Sequence, residues 1–134
     1  MRFGKVARQV DRMYSPKVLD HFEHPRNAGV IADADAAVQM ENPVCGDVLK
    51  LTLKLAGDRV GEIRFLAKGC VACMACASAL TELVQGLTVE KARELGREEL
   101  VRAVGGLPPA SSHASLLVKD ALAAALDQLA GKIY

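Results

Sequence analysis

Ile63-Arg64-Phe65-Leu66-Ala67-Lys68-Gly69-Cys70-Val71-Ala72-Cys73-Met74-Ala75-Cys76 is the stretch that decides how the chain folds. Up to Ala67, the residues Ile63, Phe65 and Ala67 alternate with Glu62, Arg64 and Leu66, the period of a strand with two different faces. After Gly69 the period becomes helical. Cys73, Cys76, Leu80, Leu83, Val84 and Leu87 form one stripe, and Gly86 marks the helix end. Just upstream, Leu49, Leu51, Leu53 and Leu55 alternate with Lys50, Thr52 and Lys54, and Gly57-Asp58 supplies a turn. The two strands read as an antiparallel hairpin with one wet face. In such a hairpin the loop before the first strand and the loop after the second lie at the same end of the sheet. Cys45, in Asn42-Pro43-Val44-Cys45-Gly46-Asp47, then faces Cys70.

Towards the N-terminus, Phe3, Val6, Val10 and Met13 recur at helical spacing among Arg2, Lys5, Arg8 and Arg12, predicting a basic amphipathic helix over residues 1–13. Ser15 is placed to cap a second helix that opens at Pro16, carries Val18, Leu19 and Phe22 on its apolar face, and stops at about His24 before Pro25. His21 and His24 read as surface or capping residues. From Arg26 to Pro43 the periodic signal is weak. Asn27-Ala28-Gly29 reads as a turn, Asp33 to Ala37 as loop and Val38 to Glu41 as a short edge strand.

Beyond the cysteine helix, Thr88 caps a short helix through Leu95, and Arg97 to Val104 forms another, closed by Gly105-Gly106. Leu107-Pro108-Pro109 is a stiff extended segment. Ser111 or Ser112 caps the last helix, which runs to about Ala130 with the stripe Leu116, Leu117, Ala121, Leu122, Ala125, Leu126 and Leu129. The expected fold is α+β: a small antiparallel sheet of about three strands packed by several helices. With 134 residues, no repeat and no linker, the chain reads as one domain over 1–134.

Bulk composition narrows the partners. The chain is 51% hydrophobic and 25% charged, with 17 basic and 16 acidic residues and a net charge of +1, which argues against nucleic acid or an anionic membrane as main partner. Aromatics are 4% with no Trp, too few for base-stacking platforms. No apolar run approaches the roughly 20 residues needed to span a bilayer, and the N-terminus lacks the apolar core of a secretory signal. A cytoplasmic location is expected. In that reducing setting the 4 cysteines read as metal or redox chemistry rather than disulfides.

Cys70 follows a glycine at the strand-to-helix junction, where free N–H groups and the helix dipole favour a thiolate. Cys45 and Cys70 both sit at Gly-bearing turns, where a thiol fills no core. Cys73 and Cys76 share the apolar stripe with Leu80 and Leu83, so a core role competes with a ligand role. The Cys70-x-x-Cys73-x-x-Cys76 spacing is a weak ferredoxin-like signal, since the final spaced Cys-Pro is missing; zinc would also accept four cysteines. His113, in the first turn of the last helix, is aimed by the preceding proline segment.

The residues that carry a family resemblance are now in hand. Tyr14-Ser15-Pro16-Lys17-Val18 with Asp20-His21 and His24-Pro25-Arg26-Asn27, then Asn42-Pro43-Val44-Cys45-Gly46-Asp47, Lys68-Gly69-Cys70 with Ser78-Ala79-Leu80-Thr81-Glu82, and Leu107-Pro108-Pro109 with His113, occur in the order seen in U-type iron–sulfur cluster assembly scaffolds, the IscU/NifU N-terminal family, which the chain resembles from Tyr14 to Ala130. The resemblance implies a scaffold rather than an enzyme. A cysteine desulfurase would deliver sulfur, iron would bind, and a [2Fe–2S] cluster would assemble on Cys45, Cys70 and a further thiol, with Asp47 and His113 nearby, before transfer to apo-proteins. A [4Fe–4S] cluster, and zinc in the empty pocket, are also compatible with these donors. A carboxylate or imidazole in the set gives a more exchangeable ligand than a thiolate. The expected assembly is a monomer or weak homo-oligomer.

Two departures stand out. The family's third cysteine follows its histidine directly, but His113 is followed by Ala114, while Cys73 and Cys76 appear where small residues are usual. One of them is the candidate for the missing thiol. The family's chaperone-docking motif continues its Leu-Pro-Pro with a lysine that this chain lacks, which puts use of the Hsp70-type chaperone in question. The competing functions are an electron carrier with a permanent cluster, a zinc or sulfur-transfer protein using Cys70-x-x-Cys73, and a degenerate binding partner.

Overall fold

The computed structural model describes residues 14–43 and 46–133, without the side chains of 131–133. The N-terminal amphipathic helix expected over 1–13 and the candidate ligand Cys45 lie outside these residues. Three strands, β1 (Ala36–Glu41), β2 (Val48–Ala56) and β3 (Arg59–Lys68), form an antiparallel sheet in that order. Among the described residues five α-helices accompany them: α1 (Pro16–Glu23), α2 (Val71–Val84), α3 (Val89–Glu94), α4 (Arg97–Ala103) and α5 (Ser112–Ile133), the last preceded by a 3₁₀ turn at Pro109–Ser111. The α+β expectation is met. Among the described residues no helix is long and apolar enough to cross a membrane.

The Leu49-to-Ala67 alternation produces the hairpin. Leu49, Leu51, Leu53, Ile63 and Phe65 are all buried on one face, where α2 lies over β3 and α5 over β1 and β2. In register, Leu51 sits between Val38 of β1 and Phe65 of β3.

The other face is not simply wet. Thr52 is 1% exposed because residues 26–35, which carry almost no periodic signal, are bound across it. Gly29 N–H donates to Phe65 O (2.8 Å), and Phe65 N–H to Asn27 O (3.1 Å), so the expected turn doubles as a short parallel addition to the β3 edge. Ile31 N–H then donates to Thr52 Oγ1 (3.1 Å), and Asp35 N–H to Leu53 O (2.8 Å). The strand expected at Val38 starts two residues earlier, at Ala36. Its free edge is blunted at Ala37, whose N–H and C=O both bond the Gln128 side-chain amide at 3.0 Å, which shields an edge that would otherwise invite pairing with another chain.

The helix caps follow the sequence. Ser15 Oγ accepts from Val18 N–H (3.1 Å) and donates to Val104 O, tying the start of α1 to the end of α4. Thr88 Oγ1 accepts from Lys91 N–H (3.1 Å) to cap α3. Two helical readings change. The predicted single stripe on α2 is instead burial almost all round: Ala72, Cys73, Ala75, Cys76, Ala77, Ser78, Ala79, Leu80, Thr81 and Val84 are all buried. A helix apolar on every side belongs in an interior, and its small side chains let α1, α5 and the sheet approach it together. On α5, Leu116 is 51% exposed, while Ala114 and Val118 take its expected place in the core.

His21 is the clearest departure from the surface reading. It is 8% exposed, with Nδ1 at 2.8 Å from Ser78 Oγ, which also accepts the Arg26 backbone N–H at 2.8 Å. Its Nε2 lies 3.7 Å from Glu82 Oε1. His24 stays exposed at the end of α1. Burial first, and then the Arg26 charge, push the His21 pKa below its ordinary 6.5, against the opposing pull of Glu82 and Asp20. The unfolded chain therefore takes up this proton at higher pH than the folded one. The stability contributed by neutral His21 is complete above about pH 6.5 and is lost as pH falls through the depressed folded value. Urea midpoints measured from neutral to mildly acidic pH should fall along this slope, and His21→Gln should flatten it; an unchanged slope in the variant would assign the effect to other groups.

Candidate metal and cluster site

The hairpin places the two turn junctions side by side. Val48 pairs with Lys68 at the last register position of β2 and β3, so Asp47 and Gly69 leave the sheet together. The turn before β2 is held by Asn42 N–H to Asp47 O (2.8 Å) and Gly46 N–H to Asn42 O (2.7 Å). The turn after β3 leads straight into α2, whose N-cap is Cys70. The thiol of Cys70 accepts the Cys73 N–H at 3.3 Å, the bond that a serine or aspartate makes at most N-caps.

Asp47 is 2% exposed. Its Oδ1 accepts the Cys70 N–H at 3.0 Å, and Cys70 Sγ donates to Oδ2 at 3.4 Å. His113 arrives from the first turn of α5. Arg97 steadies that turn, bonding Ser115 Oγ at 2.8 Å through Nε and Ser112 O at 3.3 Å through Nη2. His113 Nε2 stands 3.5 Å from Asp47 Oδ2, buried and without a hydrogen bond. One ligand atom from each of Asp47, Cys70 and His113 lies within 4.8 Å of the other two. One sulfur, one nitrogen and one oxygen donor converge there, a set suited to zinc or iron, and the orphaned imidazole nitrogen is what a metal would satisfy.

The thiolate expected at Cys70 is not favoured by the protein's own groups. Burial raises its pKa, helped by the Asp47 charge and its hydrogen bond, and these outweigh the N–H groups of Cys73 and Ala72. The helix N-terminus is present, but burial, joined by the carboxylate beside it, reverses the balance. A bound cation would reverse it again, because a coordinated thiol gives up its proton.

Of the residues singled out in the sequence, the structure brings together Asp47, Cys70 and His113. Cys73 and Cys76 are both fully buried in the core, outside that group of ligand atoms. Burial, and secondarily the neighbouring Cys70, push the Cys76 thiol up to about 12. Ala114, where the resemblance would place a cysteine, is also fully buried. What the sequence reading missed is the polar seam behind the site, His21–Ser78–Arg26 and Thr81 with Asn27. Thr81 Oγ1 donates to Ser78 O at 2.7 Å and accepts from Asn27 Nδ2 at 3.1 Å. Two hydroxyls on an otherwise apolar helix were the available signal.

Relatives share this arrangement of sequence and fold. The NifU-like N terminal domain family model matches residues 13–134. The iron-sulfur cluster assembly scaffold protein IscU 1 of Archaeoglobus fulgidus is 44% identical over 114 residues, covering 85% of this chain and 74% of that protein. The iron-sulfur cluster assembly scaffold protein IscU of Aquifex aeolicus is 39% identical, covering 84% and 73%. Among solved structures, the N-terminal NifU-like protein from Brucella abortus superposes with a TM-score of 0.73 at 22% identity, covering 92% of this chain and 98% of that one; it supports the fold. The family match over nearly the whole described chain, with relatives well above 30% identity, leads to one conclusion: the chain belongs to the NifU-like N-terminal domain family.

Proposed function

We infer that this chain is a scaffold for iron–sulfur cluster assembly, and propose that its cargo is built at the end of the hairpin on Cys45, Asp47, Cys70 and His113. The observation that carries the site is the convergence of Asp47, Cys70 and His113 within 4.8 Å. Cys45 stands two residues before Asp47 in the sequence. Sulfur comes from a cysteine desulfurase, the cluster formed is [2Fe–2S], and apo-proteins receive it. Zinc occupies the same donors when iron and sulfide are absent. Mixed ligation suits cargo that has to leave, since carboxylate and imidazole bind soft iron–sulfur less tenaciously than thiolate does. Thiol chemistry of this kind calls for a reducing compartment, and the cytoplasm is the one we propose. Cys73 and Cys76 are the two thiols available for the place that Ala114 leaves.

Anaerobic incubation with ferrous iron, cysteine, a cysteine desulfurase and a thiol reductant, which supplies the electrons that turn persulfide sulfur into sulfide, tests this. The expected result is iron and sulfide bound in equal amounts, a [2Fe–2S] visible spectrum, and loss of both to an apo-ferredoxin. Zinc that never yields to iron and sulfide, or a cluster that stays put in the presence of the acceptor, would overturn the proposal. Cys73→Ser and Cys76→Ser, made singly, decide the further thiol: altered loading in one assigns it, and unchanged loading in both removes the pair from the ligand set.

A further inference from the structure

The residue before Cys70 has a role that its lack of side chain conceals. A Cβ built on Gly69 would stand 2.1 Å from Asp47 Oδ1, 2.7 Å from Asp47 Cγ and 3.0 Å from Asp47 Cα. A Cβ essentially never stands under 3.0 Å from a non-bonded heavy atom, so a side chain at 69 and the carboxylate of Asp47 cannot share this space. The backbone there has φ +153°, a conformation that side-chain-bearing residues rarely adopt. A Cβ would also be crowded at Gly61, 2.8 Å from Ala56 Cβ, and at Gly105, 3.0 Å from Ser15 Oγ, but neither meets one of the converging donors. At Gly46, Gly57, Gly86 and Gly106, which all have positive φ, nothing among the described residues lies within 4 Å of where a Cβ would be. Only the backbone conformation matters at those positions, whereas Gly69 is also a matter of volume.

We propose that Gly69 is a positioning residue: the volume left by its missing side chain is the slot that the Asp47 carboxylate fills, and this sets Asp47 against Cys70. The chain of contacts is short. The Oδ1 atom that a Cβ would strike is the one accepting the Cys70 N–H at 3.0 Å. Its partner Oδ2 lies 3.4 Å from Cys70 Sγ and 3.5 Å from His113 Nε2. Turning the carboxylate away from Gly69 therefore breaks the orientation of all three donors at once. Retreat of the Asp47 backbone is opposed by its place one residue beyond the Val48–Lys68 pair that ends the β2–β3 ladder. Gly69 touches no cargo itself; it acts through Asp47. The inference rests on the assignment of Asp47 and Cys70 to the site.

The test is a double-mutant cycle, read in two ways on the whole chain. The apo protein is melted, and zinc affinity is measured with zinc alone against a chromophoric chelator. Gly69→Ala is expected to lower the melting temperature and to weaken zinc about 10–100-fold, the loss typical when the neighbour that orients a ligand is removed. In an Asp47→Ala background the 2.1 and 2.7 Å contacts with the carboxylate are gone and only the 3.0 Å approach to the Cα remains, so adding Gly69→Ala should cost fewer degrees than in the native chain and should not weaken zinc further. Asp47→Asn keeps the volume of the carboxylate, so there the full thermal cost of Gly69→Ala should return. Gly57→Ala, a glycine of positive φ with open space, should cost stability while leaving zinc affinity unchanged. Equal thermal costs of Gly69→Ala in the native, Asp47→Ala and Asp47→Asn chains would overturn the proposal. Asp47→Ala that leaves zinc affinity untouched would instead overturn the assignment of Asp47 to the site, and the apo melting cycle would still decide the role of Gly69.

Discussion

Cys70→Ser is expected to abolish the retention of iron and sulfide while leaving the protein folded. Cys70 has two jobs that this substitution separates. As the N-cap of α2 it accepts the Cys73 N–H, and a serine hydroxyl does this as well as or better than a thiol. In the proposed site it supplies the only sulfur among the Asp47, Cys70 and His113 ligand atoms that converge within 4.8 Å. A hydroxyl at neutral pH cannot replace a thiolate toward iron–sulfur or zinc. The loss of zinc affinity should exceed the 10–100-fold that follows removal of a ligand's hydrogen-bonded neighbour, with a melting temperature close to that of the native chain. Iron and sulfide analysis after anaerobic reconstitution, beside a thermal melt, reads both effects. A Cys70→Ser chain that holds its full complement would remove Cys70 from the site.

The largest effect on stability is expected at Leu51, for the opposite reason: it has no chemistry and full burial. It is 0% exposed on the central strand, between Val38 and Phe65, beneath the helices that cover the inner face. Leu51→Ala removes buried methyl groups where the neighbours on both flanking strands are fixed by ladder hydrogen bonds and cannot collapse into the gap. The cost should be about 2–5 kcal/mol, which lowers the melting temperature by on the order of 10 °C for a chain of this size. Urea unfolding measures it; a loss below about 1 kcal/mol would mean that the site relaxes more than the ladder suggests.

The hairpin was legible because Leu49, Leu51, Leu53, Ile63 and Phe65 are large, and alternate with polar residues over most of two strands. From the hairpin alone followed the end of the sheet at which the site would form, and Asp47 and Cys70 meet there. The caps at Ser15 and Thr88 were legible because hydroxyls before helical runs have a local job that tertiary packing rarely overrides.

What escaped the reading has equally local causes. The segment 26–35 covers the outer face of the sheet through backbone bonds to Phe65, Thr52 and Leu53, and such bonds leave no hydrophobic period. The burial of α2 on nearly all sides was hidden by Ala and Ser, which suit an interior and a surface alike. His21 looked like a surface residue because the partner that makes its burial tolerable, Ser78, is 57 residues away in the chain. Cys70 was expected to favour thiolate from its place at a helix start. Its own burial, and then the buried carboxylate of Asp47 beside it, turn the balance the other way, and neither is visible in the spacing of Cys45 and Cys70.

The central claim is that the cargo is held by a mixed set of donors at the end of the β2–β3 hairpin. X-ray absorption at the zinc edge of the zinc-loaded chain tests it most directly. The account predicts sulfur at about 2.3 Å together with nitrogen or oxygen at about 2.0–2.1 Å, and one sulfur fewer in the shell in Cys70→Ser. A shell of four sulfurs, with neither Asp47 nor His113 contributing, would contradict it.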